Sequence, residues 1–153
     1  MRKAFLHALI LTILSSPFLF AQQSPPRATL EITFAGIRSD QGLVAIGINE
    51  GPEGWPRKPD MDPNWKKANI VSGSMTVKVE NLAYGTYAVS MLDDENSNLE
   101  MDNNFLGIPK EGFGFSGNPK IGMSPPKFEE CSFTIDKPLT KITIEVRYMG
   151  KGT

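Results

Sequence analysis

Lys141-Ile142-Thr143-Ile144-Glu145-Val146-Arg147-Tyr148 decides the fold. Ile142, Ile144, Val146 and Tyr148 alternate with Thr143, Glu145 and Arg147. Period two is the pattern of a strand with one buried face and one wet face. The same alternation recurs upstream. Leu30, Ile32 and Phe34 alternate with Thr29, Glu31 and Thr33, and Met75, Val77 and Val79 with Thr76, Lys78 and Glu80. Residues 43–48 put Val44, Ile46 and Ile48 on one face. In residues 86–92, Tyr87, Val89 and Met91 share one side and Ala88, Ser90 and Leu92 the other, so both faces are expected to be covered. Residues 128–135 read as a further strand, turning at Lys137-Pro138 into the last. The spacing predicts six strands, and a seventh if Ile70 and Val71 pair with a neighbour. The first two strands are expected to form a hairpin across residues 36–42. Short alternating strands with Gly and Pro turns, and no amphipathic helix, indicate two packed antiparallel sheets.

Two long connections separate the strands. Residues 50–67 hold Pro52, Pro56, Pro59 and Pro63 with Trp55 and Trp65. No regular element survives prolines at that density, so this segment is expected to be an ordered loop. Residues 93–126 read as a second loop, acidic in its first part and rich in Gly and Phe in its second.

The beginning of the chain reads as an export signal. Arg2 and Lys3 precede an apolar run over residues 4–20, broken by Ser15, Ser16 and Pro17, and Ala21 offers a small residue for cleavage. That order of charge, apolar stretch and small residue is that of a secretory signal peptide. The expected organisation is a signal peptide over 1–21, a leader over 22–28, a β-sandwich domain over 29–149 and a tail over 150–153. The expected location is the periplasm or outside the cell. After cleavage no second apolar stretch long enough to span a membrane remains.

Composition excludes several function classes. The chain of 153 residues has 16 basic and 17 acidic side chains, and removing Arg2 and Lys3 leaves it mildly acidic. A nucleic-acid partner would need a clustered basic face, which is lacking. The single histidine, His7, lies in the export signal. Ser-His-Asp and Cys-His mechanisms and His-based zinc sites are therefore unavailable to the domain. Cys131 is the only cysteine, so no internal disulfide forms. Its place in line with Phe133 and Ile135 predicts a buried core thiol.

The acidic loop is the candidate metal site. Residues 93–102 carry five acids and no base, with oxygen side chains at Asp94, Asn96, Asn98 and Asp102, and Glu100 adding a backbone carbonyl. Relative to Asp94 these are positions one, three, five, seven and nine. Calcium takes six to eight oxygens at about 2.3–2.6 Å, and a tight loop with oxygens at alternate positions supplies them. Position six of such loops is usually Gly, because the backbone there turns to positive φ. Here it is Leu99, which resists that conformation. The bland alternative is a solvated acidic turn. A third use of the same carboxylates, Asp94 and Asp102 with Glu111, is hydrolysis by paired acids, which requires a cleft and a defined separation.

The aromatic residues offer a second candidate. Gly112-Phe113-Gly114-Phe115 lacks the Gly-Lys-Ser/Thr ending of a phosphate loop. Phe113 and Phe115, with Trp55 and Trp65, either present an aromatic platform to a carbohydrate or peptide, or fold inward to anchor the long loops.

Several stretches together resemble an exported bacterial family known as domain of unknown function 2141. They are Tyr84-Gly85-Thr86-Tyr87-Ala88-Val89, Asp94-Glu95-Asn96-Ser97-Asn98, Asp102-Asn103-Asn104, Leu106-Gly107-Ile108-Pro109-Lys110-Glu111-Gly112-Phe113-Gly114-Phe115-Ser116 and Pro125-Pro126-Lys127-Phe128-Glu129-Glu130. The resemblance implies an immunoglobulin-like or transthyretin-like sandwich and carries no activity with it. The reading of the whole is a non-enzymatic envelope module whose acidic loop takes calcium. The alternative is a module that binds a glycan or an envelope protein through its loop aromatics.

Overall fold

The computed structural model describes residues 26–56, 66–67, 69–122 and 124–149. The expected signal peptide, most of the leader, the tail and Trp65 lie outside the described residues. The elements are β1 (Arg27–Ala35), β2 (Leu43–Asn49), β3 (Ser74–Ala83), β4 (Gly85–Asp94), β5 (Gly112–Phe115), α1 (Phe128–Cys131), β6 (Phe133–Ile135) and β7 (Leu139–Glu145). They form a β-sandwich. One sheet has the order β3-β1-β7, the other β2-β4-β5, with β6 also paired to β4.

The period-two pattern becomes the core. Leu30, Ile32 and Phe34 of β1 are fully buried, between Met75 and Val77 of β3 and Ile144 of β7. Val44 and Ile46 of β2, Tyr87, Val89 and Met91 of β4 and Ile135 of β6 meet them from the other sheet. The polar residues of β1 face water, where Glu31 pairs with Lys141 at 2.8 Å. That alternation fixes the register, because a slip of one residue would expose the whole apolar set.

Three local expectations are corrected. The first two strands do not form a hairpin: β1 pairs antiparallel with β3 and parallel with β7, while β2 pairs with β4 in the other sheet. The connection crosses between layers, so the apolar faces of β1 and β2 meet each other across the core instead of lying side by side. Residues 128–135 are not one strand. Their first half is the helical turn α1, begun by Lys127 and Glu130 bonding back on each other, and only Phe133–Ile135 is extended. Cys131 is buried as expected, but on that turn. Finally, the second long loop contains a strand, β5.

β5 escaped the period-two reading because its inward residues are glycines. An added Cβ at Gly114 would stand 2.5 Å from Ile144 Cγ2 and 2.8 Å from the Glu145 carbonyl oxygen, so only glycine lets β5 lie this close to β7. Phe113 N–H donates to the Arg147 carbonyl at 3.0 Å and Arg147 N–H to the Phe113 carbonyl at 2.8 Å, closing the sandwich along one side. The Asn118 amide covers the next stretch of edge, donating to the Thr143 carbonyl and accepting from Glu145 N–H.

Candidate functional site

The acidic loop grows from the end of β4. Asp93 and Asp94 are consecutive and both fully buried, and strand alternation sends them to opposite faces. Asp94 points to the loop side. Its Oδ1 accepts from Asn98 N–H at 3.2 Å and its Oδ2 from Leu99 N–H at 2.8 Å. Asn96 Oδ1 accepts from the same Asn98 N–H, and Asn98 Oδ1 from Glu100 N–H at 2.8 Å. Asn96 Nδ2 reaches Asp102 Oδ2 at 2.6 Å. The side chains named by their spacing therefore wrap one short loop. Ser97 and Leu99 both take φ of +62°. Leu99 thus adopts the backbone that its side chain disfavours, and its apolar packing against Leu43, Ala45 and Leu92 offsets that cost.

Glu111 closes the loop from the far end. Its Oε1 accepts from Glu95 N–H and its Oε2 from Asp102 N–H, each at 3.1 Å. Burial pushes its carboxyl pKa up and the nearby Asp94 and Asp102 add to this, while the two backbone donors oppose it. Beyond Asp102 the chain makes a second tight turn around Asn104, whose Oδ1 accepts from Leu106 and Ile108 N–H. That turn holds Phe105 and Leu106 out in solvent at 95% and 67% exposure. The oxygens of the loop are hard donors of the kind that suit calcium. Among the described residues no group of three or more His, Cys, Asp or Glu is placed to hold a metal ion, so any cation here would rest partly on the Asn side chains and backbone carbonyls.

An apolar pocket of about 790 Å³ lies against this loop, on the outer face of the β2-β4-β5 sheet. Ala45, Leu92, Phe113 and Phe115 form its floor, Leu99, Glu100 and Met101 one wall, and Leu106, Gly107 and Ile108 another. The candidate aromatics sit as follows. Phe113 and Phe115 are buried side by side on the floor, with ring centroids 6.1 Å apart. Trp55 packs edge-on against Phe115 at 5.8 Å and Phe128 at 6.0 Å, and its Nε1–H donates to the Pro126 carbonyl at 3.0 Å. Trp55 is therefore an anchor for its proline-rich loop as well as a neighbour of the pocket.

A second polar cluster, on the inner side of β4, was not singled out by the sequence reading. Asp93 faces Lys67 there, with Nζ–Oδ1 at 2.5 Å and both side chains 0% exposed. Tyr148 O–H donates to Asp93 Oδ2, and Arg38 N–H donates to the Tyr148 oxygen at 3.1 Å. The Arg38 guanidinium lies 4.3 Å above the Tyr148 ring and grips Glu95 through two bonds, of 3.0 and 2.6 Å. Burial, then the hydrogen bond to Asp93, raises the Tyr148 pKa. The Arg38 bond holds Glu95 down at about 2, against its burial. One signal was available. Asp93 continues the inward series Tyr87, Val89, Met91, and an inward acid at a strand end needs a buried partner.

Among the described residues no helix is long and apolar enough to cross a membrane. No curated protein and no solved structure matches the chain. One family profile does, over residues 32–143, and that span runs from β1 through the acidic loop and the pocket floor to β7. The chain therefore belongs to the family described as an uncharacterized protein conserved in bacteria, domain of unknown function 2141.

Proposed function

We propose that the protein is an exported, non-enzymatic binding module of the bacterial envelope. Its apolar pocket takes a hydrophobic segment of an envelope protein, and calcium in the acidic loop stiffens the pocket wall. The observation that carries this reading is the shared wall: Leu99, Glu100 and Met101 belong both to the Asp94–Asp102 loop and to the pocket lining. An ion that orders the loop would therefore shape the pocket. The lining favours an apolar ligand over a glycan, which requires converging hydrogen-bonding groups. The carboxylates argue for binding over hydrolysis. Asp94 and Glu111 are occupied in holding backbone N–H groups, and a general acid or base needs freedom to reach a substrate proton.

The test has two arms. With an affinity like that of extracellular calcium modules, about 10⁻⁴–10⁻³ M, millimolar calcium stabilises by about 0.4–1.4 kcal/mol. That corresponds to a rise in melting midpoint of about 2–6 °C for a domain of this size. The rise should vanish in chelator and in Asp102→Ala. In the second arm, an apolar fluorescent dye should bind the folded protein and lose that binding in Leu106→Asp at an unchanged midpoint. Equal midpoints in calcium and chelator would remove the ion from the reading, and dye binding indifferent to Leu106→Asp would remove the pocket.

A further inference from the structure

We propose that Lys67 and Asp93 become joined by an amide bond, formed by the folded chain itself without an enzyme. The observation is the geometry of their contact. Lys67 Nζ stands 2.5 Å from Asp93 Oδ1 with both side chains wholly removed from water. A charge-assisted N–H···O bond is about 2.7–2.9 Å long. The contact is shorter than that, so the amine crowds the carboxyl oxygen whose place on Cγ it would take. It is also not a hydrogen bond by direction: Asp93 Oδ1 has no hydrogen-bond partner among the described residues although the amine is beside it. Nζ is instead oriented by a different acceptor, the Ser39 carbonyl at 3.2 Å.

The surroundings supply what condensation needs. No water reaches the pair, so the reverse reaction lacks its reagent. In such a site two unsolvated charges are costly, and passing a proton from the ammonium to the carboxylate leaves two neutral groups. The amine lone pair is then free to attack Cγ. Tyr148 O–H points at Oδ2, where negative charge develops in the tetrahedral intermediate. It can do so because the Tyr148 oxygen accepts from Arg38 N–H, which leaves its own hydrogen for Asp93. Oδ1, which no donor holds, is the oxygen that departs. The Nζ–Cγ bond forms and the Cγ–Oδ1 bond breaks. Two hydrogens from the ammonium leave with Oδ1 as water, and nothing is oxidised or reduced. The product ties the proline-rich loop to β4, in a chain whose one cysteine allows no internal disulfide.

Mass spectrometry of the denatured full chain tests this. The protein should be lighter than its sequence by one water. Trypsin should release residues 67–78 and 79–110 as one branched species, uncut after Lys67. Lys67→Arg keeps the ion pair but has no primary amine and should show the full mass. The double variant Lys67→Met, Asp93→Leu, which replaces the pair with apolar groups of similar size and so should still fold, should do the same. Tyr148→Phe should reach a smaller cross-linked fraction after the same time. Two separate linear peptides from folded wild-type protein would overturn the proposal, as would a branched species that persists in Lys67→Arg.

Discussion

Neighbouring residues on one strand have opposite roles here, and the pleat is the reason. Asp93 and Asp94 differ by one position on β4, so one carboxylate faces the sandwich and Lys67 while the other faces the loop and two backbone N–H groups. The same logic governs β5. Phe113 and Phe115 point outward to floor the pocket, and Gly112 and Gly114 point inward against β7. Gly114→Ala tests the second half of that statement. Its new methyl group would meet the Glu145 carbonyl at 2.8 Å, and a backbone atom of a paired strand cannot step aside. The expected loss is near the upper end of about 1–3 kcal/mol for overpacking, read from the urea midpoint at unchanged slope. A loss within error would mean that β5 and β7 are not held this close.

At the scale of elements, the segment between β4 and β5 is a rigid excursion rather than a slack connection. Asx-type turns around Asp94, Asn96, Asn98 and Asn104 satisfy its backbone locally, and Glu111, at its far end, pins Glu95 and Asp102 with one oxygen each. Glu111→Gln keeps one acceptor and turns an NH₂ group toward the other backbone donor. An unsatisfied buried donor costs about 1–3 kcal/mol. The expected result is faster amide hydrogen exchange at Glu95 or Asp102, with exchange in β1 unchanged. Equal exchange at both positions would show that Glu111 does not hold the loop.

At the scale of the molecule, acid stability reports the Arg38–Glu95 clamp that joins the β1–β2 connection to the acidic loop. The folded pKa of Glu95, about 2, lies below its ordinary value of 4.5. Its contribution is therefore present above pH 4.5 and is lost as pH falls toward 2. Glu111 has the opposite sign: its pKa is raised, so its contribution is lost as pH rises past its folded value. Because Arg38 is 37% exposed, the clamp is screened and contributes at most about 1 kcal/mol. Glu95→Gln should flatten the fall of the urea midpoint between pH 4.5 and 2. An unaltered acid limb would assign that loss to other carboxylates.

Alternating runs such as residues 30–34 and 141–148 were enough to determine a two-sheet β protein and its core, because burial of one face obliges a period of two. The spacing of Asp94, Asn96, Asn98 and Asp102 likewise named a wrapped loop, since short-range hydrogen bonds between near neighbours are a local property. Which strands pair was decided only in three dimensions: β1 beside β7, and β2 beside β4, join residues far apart in the chain. The same holds for β5, whose inward glycines carry no hydrophobic signal, and for Lys67 meeting Asp93. Packing between distant segments sets those contacts, and no local pattern encodes which distant segment will arrive.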